Sequence, residues 1–379
     1  MIDVRFLSSK KMLGHGSSEL RCQQPASFLR KAGWRTAASR IDQAFPSAGH
    51  AVVLHRVSSS PLSRSVVSFA RARGVRIIYD IDDLVAEDDP STFAPGIRAI
   101  MDDADVVTVS THVLQKKADA FHPNTVVVRN GLSRRFLEIA DANRRATRPG
   151  ETVTIGYFSG TATHDEDFAI VAPHLALLLE ERPQVTLVIG GKIAIPDTFA
   201  RFGERVRFEP WRPYAEFIAL LGTIDINLAP LDLADPFNTA KSEIKVTEAA
   251  AFAVPTVASP IAAYRDVIAD GRTGMICEGR GWFDALAALV DDEALRRRMG
   301  EAIRRDVLAT YSPDRSVAIW DDLIRQLSLR RRRRAYTTVP AAAGVTIRLC
   351  GAMTKEMARR AYHERVRLCI GPRKSARGG

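Results

Sequence analysis

Asp225-Ile-Asn-Leu-Ala-Pro-Leu231, then Pro236-Phe-Asn-Thr-Ala-Lys-Ser-Glu-Ile-Lys-Val-Thr-Glu-Ala-Ala250, then Val254-Pro-Thr-Val-Ala-Ser259 decide the fold. Ile224–Leu228 is an apolar run with the length of a buried strand. Ser242–Ala253 has the composition and length of a helix, and Thr256–Ala258 is a second short strand. Strand, crossover helix and strand form the unit that makes parallel sheets. On a continuous helix Lys241, Lys245 and Glu248 fall at i, i+4 and i+7, so they share one stripe. Two cations and a carboxylate there suit a ligand that carries phosphate and hydroxyl groups, and they equally suit an ordinary salt-bridged helix face.

The alternation continues in both directions. Downstream, Ile261–Ala269, Trp282–Val290 and Glu293–Thr310 read as helices. Upstream, Val153–Phe158, Val185–Ile189 and Val206–Phe208 read as strands, with helices at Asp167–Glu181 and Pro213–Gly222. Earlier still, Val4–Leu7, Ala51–Leu54, Val75–Tyr79, Val106–Val109 and Thr125–Val128 alternate with helical patterns such as Gln24–Gly33 and Leu62–Gly74. Asn143–Gly150, with three arginines and Pro149-Gly150, reads as a linker. The expected organisation is a Rossmann-like unit over 1–142 and a second over 151–311, facing each other across a cleft. A crossover helix over 312–329 carries Val317, Trp320, Leu323 and Ile324 on one side, and a basic tail covers 330–379.

Charge separates the tail from the body. The 379 residues hold 54 basic and 44 acidic side chains, but fourteen of the former and only two of the latter lie from Arg330 onward. The body is nearly neutral, which argues against a nucleic-acid surface. The five arginines Arg330–Arg334 repel one another and stay solvated; they suit either an anionic membrane surface or a simple solubilising tail. No run of about 18 apolar residues is present, and the first residues read as a strand, not as a secretory leader. Cys22, Cys277, Cys350 and Cys369 lie far apart, which suits a reducing cytosol. The expected location is therefore cytoplasmic, with the inner face of the membrane as a peripheral site.

Other motifs fall where strands end. After the first strand comes a loop with Gly14 and Gly16, suited to close backbone approach but lacking the spacing of a nucleotide fingerprint. Tyr79-Asp80-Ile-Asp82-Asp83 follows a buried strand: Asp80 and Asp82 read as a divalent-metal pair, as acceptor contacts, or as charges at a helix start. Ile155-Gly-Tyr-Phe-Ser-Gly160-Thr161-Ala-Thr163-His164 reads as strand, small-residue turn and helix start, an arrangement suited to phosphate. There His164 has either a diphosphate contact or a capping neighbour's role. Lys192, after Ile189-Gly-Gly, projects into the cleft or into water.

Six segments in order resemble the GT-B glycosyltransferases, specifically the group 4 (group 1 glycosyl transferase) type that builds bacterial surface glycans. They are Tyr79-Asp-Ile-Asp-Asp83, Val127-Val-Arg-Asn-Gly131, Ile155-Gly-Tyr-Phe-Ser-Gly-Thr161, Asp225–Leu231, Lys241-Ser-Glu-Ile-Lys-Val-Thr-Glu248 and Asp270-Gly-Arg-Thr-Gly274. The resemblance covers residues 1 to about 329. It implies transfer of a sugar from a nucleotide-diphosphate donor to a glycan or lipid-linked acceptor in cell-surface polysaccharide synthesis. It further implies retention of configuration, no metal, and no cofactor beyond the sugar nucleotide as co-substrate. The donor would occupy the second unit and the acceptor the first. Glu248 matches the second glutamate of the family's E-x7-E element, but the first falls at Ala240. On this reading Lys245, Lys241 and His164 stabilise the leaving diphosphate. Gly160, Thr161, Thr163, Lys192, Glu243 and Glu248 surround the donor, and Gly14, Gly16, Asp80, Asp82 and Asp83 face the acceptor. The rival expectations are a metal-dependent transferase built on Asp80 and Asp82, and a degenerate transferase that binds glycan or membrane without catalysis.

Overall fold

The computed structural model describes residues 3–9, 16–43, 49–85, 92–143, 152–159, 165–210, 212 and 214–329. Two six-stranded sheets form the two lobes. The first has the order β2-β1-β3-β4-β5-β6, from β1 (Val4–Ser8), β2 (Thr36–Arg40), β3 (Ala51–His55), β4 (Arg76–Ile81), β5 (Val106–Val109) and β6 (Thr125–Val127). The second has the order β12-β11-β10-β7-β8-β9, from β7 (Val153–Ser159), β8 (Val185–Gly191), β9 (Val206–Pro210), β10 (Ile226–Ala229), β11 (Thr256–Ala258) and β12 (Met275–Ile276). Each strand pairing is parallel. The near-continuous apolar runs of β3 and β7 follow from this, because helices cover both faces of a parallel sheet.

Several elements escape the sequence reading. Thr36–Arg40 has only one β-branched residue and is held as a sheet edge by pairing along β1. β12 is two residues long. Helices also form at Pro95–Met101, Arg134–Asn143 and Pro236–Thr239. Conversely, the helix expected over Ile261–Ala269 is a single turn, Ala262–Arg265. Asn143, expected in the linker, ends a helix; residues 144–150 of that linker, Gly14, the 160–164 turn and the tail from Arg330 lie outside the described residues.

The chain crosses between lobes twice, at neighbouring points. Arg134–Asn143 follows the first sheet in sequence, yet Leu132, Phe136 and Ala140 pack in the second lobe with Leu221, Ala250 and Phe252. The helix Pro313–Leu329 returns the exchange. Its Trp320, Leu323, Ile324 and Leu327 close the first lobe's core over Val4, Phe6, Phe28 and Leu29, with Trp320 edge-on to Phe6 at 5.5 Å. The crossings touch: Leu132 N donates to Tyr311 O at 2.9 Å, and a Cβ on Gly131 would lie 1.9 Å from Ser316 Oγ. A side chain at position 131 would force Ser316 aside, so glycine eases the close packing of the two crossings. Among the described residues no helix is long and apolar enough to cross a membrane.

Candidate active site

In the second sheet β7 lies between β8 and β10. The chain runs outward from β7 through β8 to β9 and then crosses back to β10 on the other side of β7, so a crevice opens at the carboxyl ends of β7 and β10. The helix Ile244–Ala251 stands beside it. The small side chains Ala249, Ala250 and Ala251 are fully buried and let the helix lie close to the sheet. Asn227 of β10 fixes its first turn by donating from Nδ2 to Lys245 O at 3.2 Å.

Lys245 sits near the amino end of this helix. Its Nζ lies 4.8 Å from the centroid of the Tyr157 ring on β7, sealed from solvent and with no hydrogen-bond partner among the described residues. Burial pulls the ammonium from its ordinary 10.5 down to about 8; Asp167 and Glu248 oppose that drop and Lys241 adds to it. The positive end of the helix dipole makes the same place hostile to a cation and favourable to an anion. Glu248 is buried one turn further along. Asp167 Oδ1 accepts from Asn238 Nδ2 at 2.8 Å and from Asp232 N at 2.7 Å, tying down the loop after β10.

The shared stripe expected for Lys241, Lys245 and Glu248 needs correction. Asp235 caps a separate short helix, Pro236–Thr239, by accepting from Phe237 N, and the next helix begins only at Ile244. Lys241 therefore lies in the connection, over the Phe237 ring at 4.0 Å and 3.7 Å from Asp83 of the first lobe. Ala240, where the family's first glutamate would fall, is fully buried against the first lobe's core beside Leu84 and Phe93. Glu243 is 1% exposed and is taken by Arg129 of the first lobe at 3.1 Å. Lys192 is exposed just beyond β8. The preceding Gly191 has φ +105°, and a Cβ there would sit 1.8 Å from Ser159 O; the ends of β7 and β8 are pressed together at this glycine.

The first lobe faces this crevice with a charged cluster at the carboxyl ends of β3 and β4. Asp80 is fully buried with both oxygens engaged. Arg21 donates from Nη2 to Oδ1 at 2.5 Å and from Nε to Oδ2 at 3.1 Å. Thr108 Oγ1 donates to Oδ1 at 2.6 Å, and His55 Nδ1 lies 2.9 Å from Oδ2. Burial alone would raise its pKa, but Arg21 and His55 hold it well below the usual carboxylate range. Asp82 accepts from Ser17 Oγ at 2.6 Å and from Arg56 Nε at 2.5 Å. It too is lowered against the effect of burial, chiefly by Arg56 and His55. Asp83 lies 3.3 Å from Arg56 Nη2. Arg56 holds both carboxylates from a left-handed backbone, φ 49°, a strained conformation of the kind concentrated at functional sites. Gly16 is exposed at the start of the short helix Gly16–Ser18. Asp82 and Asp83 thus border the crevice, while Asp80 is the buried keystone that orients Arg21 and His55.

Ser17, Arg21, His55, Arg56 and Arg129 are absent from the sequence-derived site. Their partners lie 25 to 114 positions away, so no local spacing announces them. The positive φ of Arg56 has no sequence signature either.

Two parallel α/β lobes, a crevice at the carboxyl ends of both sheets and a last helix returning to the first lobe define a GT-B protein. Residues 152–292 match the family model described as Glycosyl transferases group 1. It is 28% identical over 245 residues to a D-inositol 3-phosphate glycosyltransferase of Corynebacterium efficiens, covering 57% of this chain and 55% of that one. The chain spans about half the length of the curated relatives it matches. Among solved structures it superposes on a sucrose-phosphate synthase of Thermosynechococcus elongatus with TM-score 0.62 at 15% identity, covering 86% of this chain and 99% of that one. Anabaena HepE, crystallised with UDP and glucose, gives TM-score 0.60 at 14% identity, covering 86% and 100%. At these identities the likeness to solved structures is one of fold.

Proposed function

We propose that the protein transfers a sugar from a nucleotide-diphosphate donor to a hydroxyl acceptor, the donor lying on the second lobe. The observation that carries this reading is Lys245 Nζ: a sealed ammonium at a helix amino end, unpartnered among the described residues, beside the crevice at the sheet's switch point. A diphosphate supplies the missing counter-charge. Glu248, one turn on, suits the hydroxyls of a ribose or sugar. As the donor bond breaks, the leaving diphosphate gains charge, and preorganised donors strengthen just then. Lys245, Lys241 and the helix N–H groups serve that purpose, joined by His164 and the Gly160, Thr161 and Thr163 turn from the expected site. Asp82 and Asp83, with Gly14 and Gly16 of the preceding loop, receive the acceptor, a glycan or lipid-linked saccharide of the cell surface. HepE, crystallised with UDP and glucose, supports the donor class.

We further propose that the reaction is metal-independent and takes place at the cytoplasmic face of the membrane, with Arg330–Arg334 as the lipid contact. The metal-free reading is supported by Asp80 and Asp82, whose oxygens already engage arginine, histidine and hydroxyl partners. We propose retention of configuration, as the resemblance to the group 4 glycosyltransferases implies. A second reading has a specific observation behind it: Ala240 stands in place of the sugar-facing glutamate and is buried, as a binding-only descendant would allow.

Thermal-shift screening against UDP-, GDP-, dTDP- and CMP-sugars in EDTA, followed by product analysis, tests the proposal. A donor at 100 times its Kd stabilises by about 2.7 kcal/mol. Glu248→Ala is expected to lower turnover about 10²–10³-fold while leaving the fold intact. Binding without transfer or hydrolysis of any donor selects the non-catalytic reading. Stabilisation by none of the four overturns the donor site.

A further inference from the structure

Three consecutive residues ahead of the helix Ile244–Ala251 each touch the first lobe. Lys241 Nζ lies 3.7 Å from Asp83, Asn130 Nδ2 donates to Ser242 Oγ at 3.2 Å, and Arg129 Nη1 donates to Glu243 Oε1 at 3.1 Å. Arg129 reaches furthest. Its second amino group binds Asp266 at 2.7 Å, and Nη1 also donates to the Tyr311 hydroxyl at 3.3 Å. Arg129 immediately precedes one interlobe crossing, and Tyr311 immediately precedes the other. One side chain therefore joins both crossings to the residue that opens the Lys245 helix.

The carboxylate it holds has no access to water that could replace this pairing. Glu243 is buried, and its second oxygen, Oε2, has no partner among the described residues. A buried carboxylate whose one guanidinium is Arg129, with the Tyr311 hydroxyl beside it, is costly to unpair, so its position follows the arginine. Two residues further on stands the sealed ammonium of Lys245.

We infer that Arg129 is a positioning residue: through Glu243 it sets the amino end of the Lys245 helix relative to the interlobe crossings, and so presents Lys245 and Glu248 to the donor. The inference rests on the donor-site reading for its consequence, but the mechanical link stands on the contacts alone.

Hydrogen–deuterium exchange of the full chain, with UDP as the binding probe, separates the two. In Arg129→Ala the amides of 241–247 exchange about tenfold faster, while those of β7 and β8 keep their protection. UDP affinity falls about tenfold, within the range usual for coupling between sites. Glu243→Gln reproduces both effects, the double variant is no worse than either single one, and Arg129→Lys recovers part of the loss. A residue that only stabilises the fold would instead raise exchange throughout the second lobe. Unchanged exchange over 241–247 in Arg129→Ala and Glu243→Gln overturns the inference, whatever UDP does. Should Arg129→Ala fail to fold, Glu243→Gln decides alone. Failure of the wild type to bind UDP, with the exchange result as expected, counts against a uridine donor and leaves the positioning role standing.

Discussion

Lys245→Met separates what the buried ammonium does for the ligand from what it does to the fold. Methionine keeps most of the aliphatic stem and removes the charge. In the native protein the ammonium is held at about 8 against an ordinary 10.5. That depression corresponds to roughly 3 kcal/mol of burial penalty on the charged form. The sign follows from proton counting. Below pH 8 both folded and unfolded chains carry the proton, and the folded state bears the full burial penalty. Between pH 8 and 10.5 the folded state binds fewer protons, so the penalty shrinks as pH rises. At pH 7 the substitution removes the whole of it. With partial relaxation, Lys245→Met should stabilise the protein by about 1–3 kcal/mol, a rise in Tm of some 2–4 °C per kcal/mol for a lobe of this size. The advantage should fade toward pH 10. The same variant should lose stabilisation by any sugar nucleotide. Calorimetry at pH 7 and pH 10, with and without the donor found in the screen, measures all three effects. A variant less stable than the wild type at pH 7, or one still stabilised by donor, would refute the assignment of Lys245 as a buried charge awaiting an anion.

Asp80→Asn should cost about 3–5 kcal/mol in urea unfolding, because it leaves Arg21 buried without its counter-charge; a loss below 1 kcal/mol would show that the cluster is not the keystone described. The low pKa of Asp80 and Asp82 also makes their contribution fall as acid protonates them, so Asp80→Asn should flatten the acid limb of the stability curve. Gly191→Ala should cost about 2–4 kcal/mol and weaken donor binding with it, since the methyl meets Ser159 O in a backbone that disfavours side chains; wild-type stability would mean that the ends of β7 and β8 have room to part.

The doubled α/β plan was legible because parallel strands need apolar runs on both faces, and β3, β4 and β7 supply them. Thr36–Arg40 was illegible for the opposite reason: as an edge strand it needs little of its own beyond the partner beside it. Arg134–Asn143 carries a signal, Phe136, Ile139 and Ala140 at helical spacing after Ser133, whose Oγ accepts from Phe136 N at 3.0 Å, but it runs directly into an arginine-rich, linker-like segment. At the site, Lys245 and Glu248 were readable because they lie within one helix. Lys241 was misplaced because Asp235-Pro236 starts a helix of its own and breaks the register. Arg129 and Arg21 belong to contacts between distant segments, which periodicity does not encode.

The exchange of helices has a bearing on how the molecule comes off the ribosome. The sheet made from the earliest residues remains uncovered over Phe6 and Phe28 until Trp320 and Leu327 have been synthesised. Domains generally fold as units, the first during synthesis of the rest; here the first lobe must wait until the second lobe and the returning helix have emerged. A nascent chain arrested at Thr310 would present a sticky apolar face, and a chaperone that recognises such faces would find its target on the first lobe.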